Sequence, residues 1–517
     1  MSPKLSWISQ AWLVLAAALP GALWGADLEI THVTIVSPER SDPLRDARVR
    51  VHDGRIVSIS KASGASAPSK DSAAVDGSGL FLVPGLIDSH VHLSGIPGMR
   101  PDQEAAHPDI AAASRNQIPR SYLLYGFTTL IDLISTPQEM VRWKSHDAVP
   151  DTYFCGGAAL MDGYPMNYAP KPERYKDWPY MLIESGTQAP DGVDPAMHTP
   201  QAVVSRMKAD GAICVKTFFE RGFGGVRDLP VPRVETIREL VNAAHAAGLP
   251  VLIHANSDEA QRFGLDAGVD VMAHGMWNWY KEQSTASELT PGIKKILDDG
   301  LAQNVGWQPT IQVLYGLTGL FSTSFLSDPR LSRVLPSNLI DWYRSPEGQW
   351  FRVEFSQGMK PLANASPSQL ERVVNEGFAT TIDRGKHAVA YEAARHGRIL
   401  FATDTPSAPT FANPPGLNGW LEMQQLLDAG ETPAQIFKSA TLANAQALKL
   451  DRDIGTVEVG KRADLLLLRQ DPTQTIEAYA GIVKVILNGR VLDAAELAAN
   501  TAHQSSPGTA QKRIPTH

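Results

Sequence analysis

The feature that most limits what this chain can become is a recurrence: short apolar runs of strand length, several closing on an ionisable residue, separated by stretches long enough for a helix. That alternation is the pattern of βα units around a parallel sheet, and a barrel is its natural closure. Eight runs qualify: Leu86–His92, Phe127–Asp132, Tyr153–Leu160, Ala212–Phe218, Val251–His254, Val271–His274, Val305–Thr310 and Leu400–Asp404. Two connections are long, Met161–Pro200 and Tyr315–Pro367, and both are rich in Tyr, Trp and Pro. Ordered insertions of that length serve as lids or binding loops, or else pack on the outside or against a second subunit.

The two ends read differently. LEITHVTIV and ARVRVHDGRIVSIS alternate as strands, with Asp53-Gly54 as a hairpin turn, and Gly455–Leu492 returns to the same style with a second turn at Asn488-Gly489. The expectation is an α/β chain with a barrel over 84–440 and one small β domain assembled from 27–83 and 441–492. Ala62–Lys70 reads as a flexible surface loop, and 493–517, rich in Ala, Ser, Thr and Gln without apolar period, as a disordered tail.

Lys4, the apolar run Ala11–Leu19 and the small residues up to Ala26 read as an export signal over 1–26, cleaved between Ala22 and Ala26; the alternative is a short uncleaved anchor. A periplasmic or secreted protein follows. A formal net charge of -8 offers no basic footprint for nucleic acid, so a small-molecule substrate is expected, with homo-oligomerisation left open. Cys155 and Cys214 lack the paired spacing of a zinc knuckle and read as buried thiols, a single disulfide remaining open.

Ionisable residues at the carboxyl ends of barrel strands are where chemistry resides in this architecture. His90 and His92, two apart on an extended run, project to one side and can chelate one ion. Lys216 ends AICVKTF among apolar neighbours; it either pairs with an acid such as Glu220 or reacts as a neutral amine with carbon dioxide to give a carbamate that bridges two cations. His254 and His274 close successive runs one βα unit apart and can serve a second ion, and Asp404 can touch a metal while acting as proton acceptor.

In that order, PGLIDSHVHL, VKTF, LIHANS, AGVDVMAHG and ATD, followed by SATLANAQALKL and IGTVEVGKRADLLLL, resemble the amidohydrolase superfamily over nearly the whole mature length, and within it the imidazolonepropionase-like and prolidase-like branch. The resemblance implies a distorted (β/α)8 TIM barrel with a composite β-sandwich. It also implies a binuclear site in which His90, His92 and Asp404 hold one divalent ion and His254 and His274 the other, with carboxylated Lys216 bridging. Zinc is the first expectation, although imidazole and carboxylate suit manganese, iron and cobalt as well. Thr-Phe-Phe-Glu-Arg-Gly-Phe-Gly-Gly after the strand-four lysine and Thr405-Pro406 after the last aspartate depart from many relatives, on the side that faces substrate.

The expected reaction is cleavage of a C–N amide bond, of a dipeptide (prolyl ones included) or an N-acyl amino acid, by a metal-activated hydroxide, with Asp404 as general base and then general acid. Arg221 or Arg262 is the candidate partner for a substrate carboxylate, and Tyr164, Tyr168, Trp277 and Trp279 the candidate apolar wall. The alternatives are a mononuclear cyclic-amide hydrolase or deaminase, a lactone or phosphoester hydrolase, and a non-catalytic binding protein. Deaminases of this kind carry a glutamate shortly after the strand-five histidine, where this chain has Ala255-Asn256-Ser257.

Overall fold

The computed structural model describes residues 27–62, 73–223, 226–282, 285–357 and 365–500. The proposed signal, most of the loop 62–70 and the tail beyond 500 lie outside them. Two sheets organise the chain. Strands β1 (Leu28–Ile35), β2 (Leu44–His52), β3 (Arg55–Lys61), β4 (Ala73–Asp76) and β5 (Phe81–Pro84) come from its start. The parallel strands β6 (Leu86–Val91), β7 (Phe127–Asp132), β8 (Asp151–Ala158), β9 (Cys214–Phe218), β10 (Val251–His254), β11 (Val271–Ala273) and β12 (Gly306–Gln308) come from its middle, and β13 (Leu465–Leu468), β14 (Ile482–Leu487) and β15 (Arg490–Asp493) from its end.

Strands from both ends share one sheet, in the order β15-β14-β13-β5-β1-β2-β3 with β4 beside β1. The joint is β5 against β13, antiparallel, with Phe81 opposite Leu468 and Pro84 opposite Leu465. Leu465 to Leu468 are all fully buried because alternate leucines feed different cores, Leu466 and Leu468 the large one and Leu465 and Leu467 the smaller one under β1 and β2. The turns Asp53-Gly54 and Asn488-Gly489 have positive φ at all four residues, as two-residue hairpin turns require. They abut: a Cβ on Gly54 would lie 2.9 Å from the Asn488 carbonyl oxygen.

The second sheet runs β12-β11-β10-β9-β8-β7-β6, all parallel, with amphipathic helices between strands. Helix Val234–Ala246 buries Ile237, Leu240, Val241 and Ala244, one face at a 3.6 period, and helix Asp258–Ala267 is started by the Ser257 hydroxyl accepting from Ala260 N and ended by Gly268 at φ 82°. The eighth run is not a continuous strand, contrary to expectation. Instead, residues 398–405 form an extended segment stitched to both edge strands: Leu400 N donates to Trp307 O (2.8 Å), Asp404 N to His90 O (2.7 Å) and His92 N to Thr405 O (2.9 Å). The left-handed turn at Asp404 (φ 54°) and the missing N–H of Pro406 break regular pairing there. The sheet is thereby curled until its first and last strands share a neighbour, a mixed α/β architecture consistent with a distorted barrel.

Two further expectations are corrected. Cys155 and Cys214, opposite each other on β8 and β9, are joined in a disulfide rather than standing as free thiols. Closing a loop of 59 residues is worth about 4 kcal/mol on the chain-entropy account. The long connection that starts at Tyr315 is ordered over its described residues, and its helices Ser337–Arg344 and Trp350–Gln357 pack over the loop after β6: the Tyr343 hydroxyl donates to Pro97 O and the Trp350 indole to Gly98 O. Residues 494–500 are ordered, because helix Ala494–Leu497 buries Ala494 and Leu497, Gln117 donates to Leu497 O and Asn500 to Ser332 O.

Glu431 gives the fold a pH dependence. Both its carboxylate oxygens are buried without a hydrogen-bond partner among the described residues. Burial first, and then the charge of Glu422, pushes its carboxyl up to about 8. The folded chain thus keeps a proton that the unfolded chain sheds near pH 4.3, so this carboxyl lowers stability as pH rises from about 5 to about 8, by on the order of 1 kcal/mol per pH unit. Glu431→Gln is expected to flatten that slope in urea unfolding measured across this range. Equal slopes for the two proteins would contradict it.

Candidate metal centre

The site assembles where β6, β9, β10, β11 and the segment 398–405 end. Alternation along β6 puts Asp88, His90 and His92 on one side. Asp88 locks the strand in place, accepting from Thr403 N (3.1 Å), from the Thr403 hydroxyl (2.6 Å) and from His90 N (3.3 Å), while Gln308 and Asn444 amides bind the backbone around Ser89, Ile87 and Phe401. Asp404 is the hub: its Oδ1 lies 3.0 Å from His90 Nε2 and 3.0 Å from His92 Nε2, and its Oδ2 lies 3.9 Å from His274 Nδ1. The His90 and His274 ring centroids are 5.1 Å apart, and those of His254 and His274 4.5 Å. One donor atom each from His90, His274 and Asp404 lies within 4.8 Å of the others, a spacing that suits a shared cation.

His274, Asp404 and Thr310 all carry positive φ (82°, 54° and 47°) although none is glycine. Such backbones cost on the order of 1 kcal/mol or more each and gather at functional sites. His274 is over-determined to match: Nδ1 is 2.9 Å from the Thr310 hydroxyl, its N–H donates to Gln308 O, and its carbonyl accepts from Gln261.

The electrostatics favour ligand-ready forms at three of the four histidines, whereas at His92 the hydrogen bond and charge of Asp404 outweigh burial and raise the ring above its usual value. Burial, and then the Lys216 charge, lowers His90 to about 3; burial lowers His254, and lowers His274 well below the usual imidazole range, so these three rings are neutral. Against the burial penalty, the charge of and hydrogen bond from His90 hold Asp404 well below the usual carboxylate range. Lys216 is 1% exposed and its Nζ has no hydrogen-bond partner among the described residues; burial lowers it to about 7. The ordinary alternative, pairing with Glu220, is not what the structure has. Glu220 instead accepts from Gly222 N (2.8 Å) and the Asn256 amide (2.9 Å) and lies 3.3 Å from His254 Nε2.

The expected substrate residues divide. The Tyr164 ring sits 4.7 Å from that of His254, and Trp277 sits 5.7 Å from His274 while packing on Leu314 and Ile382. Trp279 is core, its indole donating to Met276 O. Arg221 forks onto Glu259 with two bonds of 3.1 Å, and Arg262 binds Asp299 at 2.6 Å, so both guanidinium groups are already engaged with carboxylates. The residues not anticipated at the site are Asp88, Asp132 and Thr310, and Glu220 was anticipated only as a partner of Lys216. Asp132 accepts from Leu93 N and Ile134 N and lies 3.9 Å from His92 Nδ1. It carries the same signal as Asp404, an acid closing an apolar run, and could have been found by it.

The amidohydrolase family model matches residues 81–270 and 365–492. The chain belongs to the amidohydrolase family. It is similar to the imidazolonepropionase of Brevibacillus brevis (strain 47 / JCM 6285 / NBRC 100599), 28% identical over 145 residues, which span 25% of this chain and 33% of that protein. Among solved structures it is similar to a prolidase complexed with N-methylphosphonate-L-proline, with a TM-score of 0.60 at 18% identity over 90% of this chain and 99% of that one. It is also similar to a Xaa-Pro dipeptidase with bound methionine, with a TM-score of 0.55 at 19% identity over 90% and 100% of the respective chains. At such identity these two amidohydrolase-type neighbours speak for the fold alone.

Proposed function

We propose that this chain is a metal-dependent hydrolase that cleaves a carbon–nitrogen amide bond of a dipeptide, prolyl ones included, or of an N-acyl amino acid. The observation that carries the reading is the convergence of His90, His92, His274 and Asp404, with His254 against His274 and, within reach of the Asp404 charge, a buried Lys216 amine that has no hydrogen-bond partner among the described residues. Four imidazoles, three of them held neutral, an ionised carboxylate and a buried amine without a hydrogen-bond partner among the described residues are a donor set that fits divalent cations. In this reading His90, His92 and Asp404 would hold one ion and His254 and His274 a second, and Lys216, as its carbamate, would complete the donor set. Bound ions, zinc first among the expectations, would polarise the scissile carbonyl and acidify a water.

The protein's own part is then proton management and orientation. Asp404, ionised and fixed by His90 and His92, accepts the proton from the attacking water and returns it to the departing nitrogen. Tyr164, whose phenol burial holds far above its usual pKa, is a neutral donor beside His254. Around this site we read the curled sheet as a distorted (β/α)8 barrel over 84–440, and the other sheet as a composite β-sandwich domain of 27–83 and 441–492. Export is part of the proposal: the apolar run Ala11–Leu19 supports it, and so does the Cys155–Cys214 disulfide, a bond that persists in oxidising compartments. No helix among the described residues is long and apolar enough to cross a membrane.

The test is metal content of the purified protein, followed by turnover of a panel of dipeptides, N-acyl amino acids, lactones and phosphoesters before and after chelation and zinc reloading. Stoichiometric metal and chelator-sensitive C–N cleavage are expected. Protein without stoichiometric divalent ion, or turnover confined to lactones or phosphoesters, would overturn the reading.

A further inference from the structure

On the His254 side of the site stand aromatic rings that the core does not absorb. Tyr168, Phe223 and Tyr280 are 69%, 42% and 40% exposed. Tyr164 links the first two to the metal centre: its ring lies 5.9 Å from Tyr168, 5.5 Å from Phe223 and 4.7 Å from His254, and Phe223 itself lies 6.2 Å from His254. Scattered exposed apolar side chains are ordinary. Rings in mutual edge contact that end on a candidate ligand imidazole form a continuous apolar wall leading to the chemistry.

A cation stands at the same rim. Arg227 Nη1 donates to Gly222 O (3.0 Å) and to the Tyr280 hydroxyl (3.1 Å). Among the described residues it forms no ion pair, whereas Arg221 and Arg262 are each taken by an acid. Gly222 also donates its N–H to Glu220, which reaches His254 at 3.3 Å, so Arg227 is tied to the metal centre through one backbone unit and one carboxylate. That carboxylate does not claim the guanidinium: Gly222 N, the Asn256 amide and His254 occupy it.

From this juxtaposition we propose that the rim is a specificity pocket for a substrate residue that carries both an aromatic or large apolar side chain and a free carboxylate. Arg227 holds the carboxylate, and Phe223, Tyr164 and Tyr168 receive the side chain. The proposal rests on the reading of the chain as a C–N hydrolase, and it narrows the substrate class to compounds whose released amine is an apolar amino acid. An arginine that keeps two donors anchored while its remaining N–H groups face solvent is preorganised for a carboxylate.

Calorimetric titration of the metal-loaded full chain separates the two contributions without needing turnover. The probes are L-phenylalanine, glycine, which lacks the side chain, and 2-phenylethylamine, which lacks the carboxylate. The wild type is expected to bind L-phenylalanine about 10-fold or more tighter than either, about 1.4 kcal/mol per group. Arg227→Gln should bring L-phenylalanine and 2-phenylethylamine to near-equal affinity, Arg227→Lys should recover part of the difference, and Phe223→Ala should bring L-phenylalanine down towards glycine. Both positions are exposed, and unchanged thermal melting checks that the variants fold. Wild-type L-phenylalanine binding no tighter than glycine or 2-phenylethylamine would overturn the proposal, as would Arg227→Gln weakening both aromatic probes equally. Should the binding pattern hold while no amide is hydrolysed, the reaction reading fails and the pocket stands; amide hydrolysis without the binding pattern leaves the reaction and removes the pocket.

Discussion

Lys216→Ala is expected to lose most of its bound metal and nearly all turnover, and to regain part of both when a short carboxylic acid such as acetate or propionate is added. The argument starts from burial. A lysine amine that is 1% exposed and lacks any hydrogen-bond partner among the described residues carries a desolvation cost that the charge of Asp404 and the Phe218 ring, 5.9 Å away, offset only in part. If it were only filling space, removing it would relieve that cost and leave the histidines and Asp404 in place. If it becomes a carbamate, it supplies two anionic oxygens on a stem long enough to reach two cations, and its loss removes the bridge. Loss of a mere outer partner of a metal ligand already costs about 10–100-fold in affinity or activity, so loss of the bridge should exceed about 100-fold. Arginine should not rescue, since it keeps its charge and forms no carbamate. Metal content and turnover of the variant with and without added carboxylate, beside wild type prepared with and without bicarbonate, decide the matter. Near-normal values in Lys216→Ala would make the lysine structural and require the binuclear mechanism to be withdrawn.

What was legible in the sequence is what depends on local pattern. The hairpin turns at Asp53-Gly54 and Asn488-Gly489 need φ above zero, and only a few residue types supply it cheaply, so the letters announce the turns. His90 and His92 sit two apart on a strand, which places both beside one oxygen of Asp404. What was not legible depends on partners distant in the chain. The disulfide requires knowing that Cys155 and Cys214 fall opposite each other on neighbouring parallel strands, a register that a sequence separation of 59 conceals. Whether an arginine is available for substrate depends on the acid beside it in space, and Glu259 and Asp299 settle that for Arg221 and Arg262. The eighth run looked like a strand because its composition is apolar, but a left-handed aspartate and a proline at its end prevent regular pairing. Glu220 stands four residues beyond Lys216, close enough in sequence to suggest an ion pair, but its carboxylate meets His254 and Asn256 instead.

The same left-handed aspartate allows a clean test of proton transfer. Asp404 has φ 54°, and asparagine is the substitution that best tolerates this region, because its short polar side chain is at ease there. Asp404→Asn therefore keeps the backbone, the side-chain shape and one oxygen able to face His90 or His92, while removing the charge and the capacity to accept a proton. If Asp404 is the general base and then the general acid, kcat should fall by about 10²–10⁴-fold, the span ascribed to positioned acid–base groups, with KM nearly unchanged because substrate contacts lie elsewhere. Bound metal should decline less steeply than in Lys216→Ala, since the four histidines and Lys216 remain. Asp404→Ala would not serve, because it leaves the left-handed backbone without the short polar side chain that eases it and mixes a folding defect with the chemical one. Measured kcat, KM and metal content of Asp404→Asn separate the two roles assigned to this residue. A kcat within about tenfold of wild type, alongside retained metal, would move the proton transfer to another group, and the nearest buried acids to examine next would be Asp132, 3.9 Å from His92, and Glu220, 3.3 Å from His254.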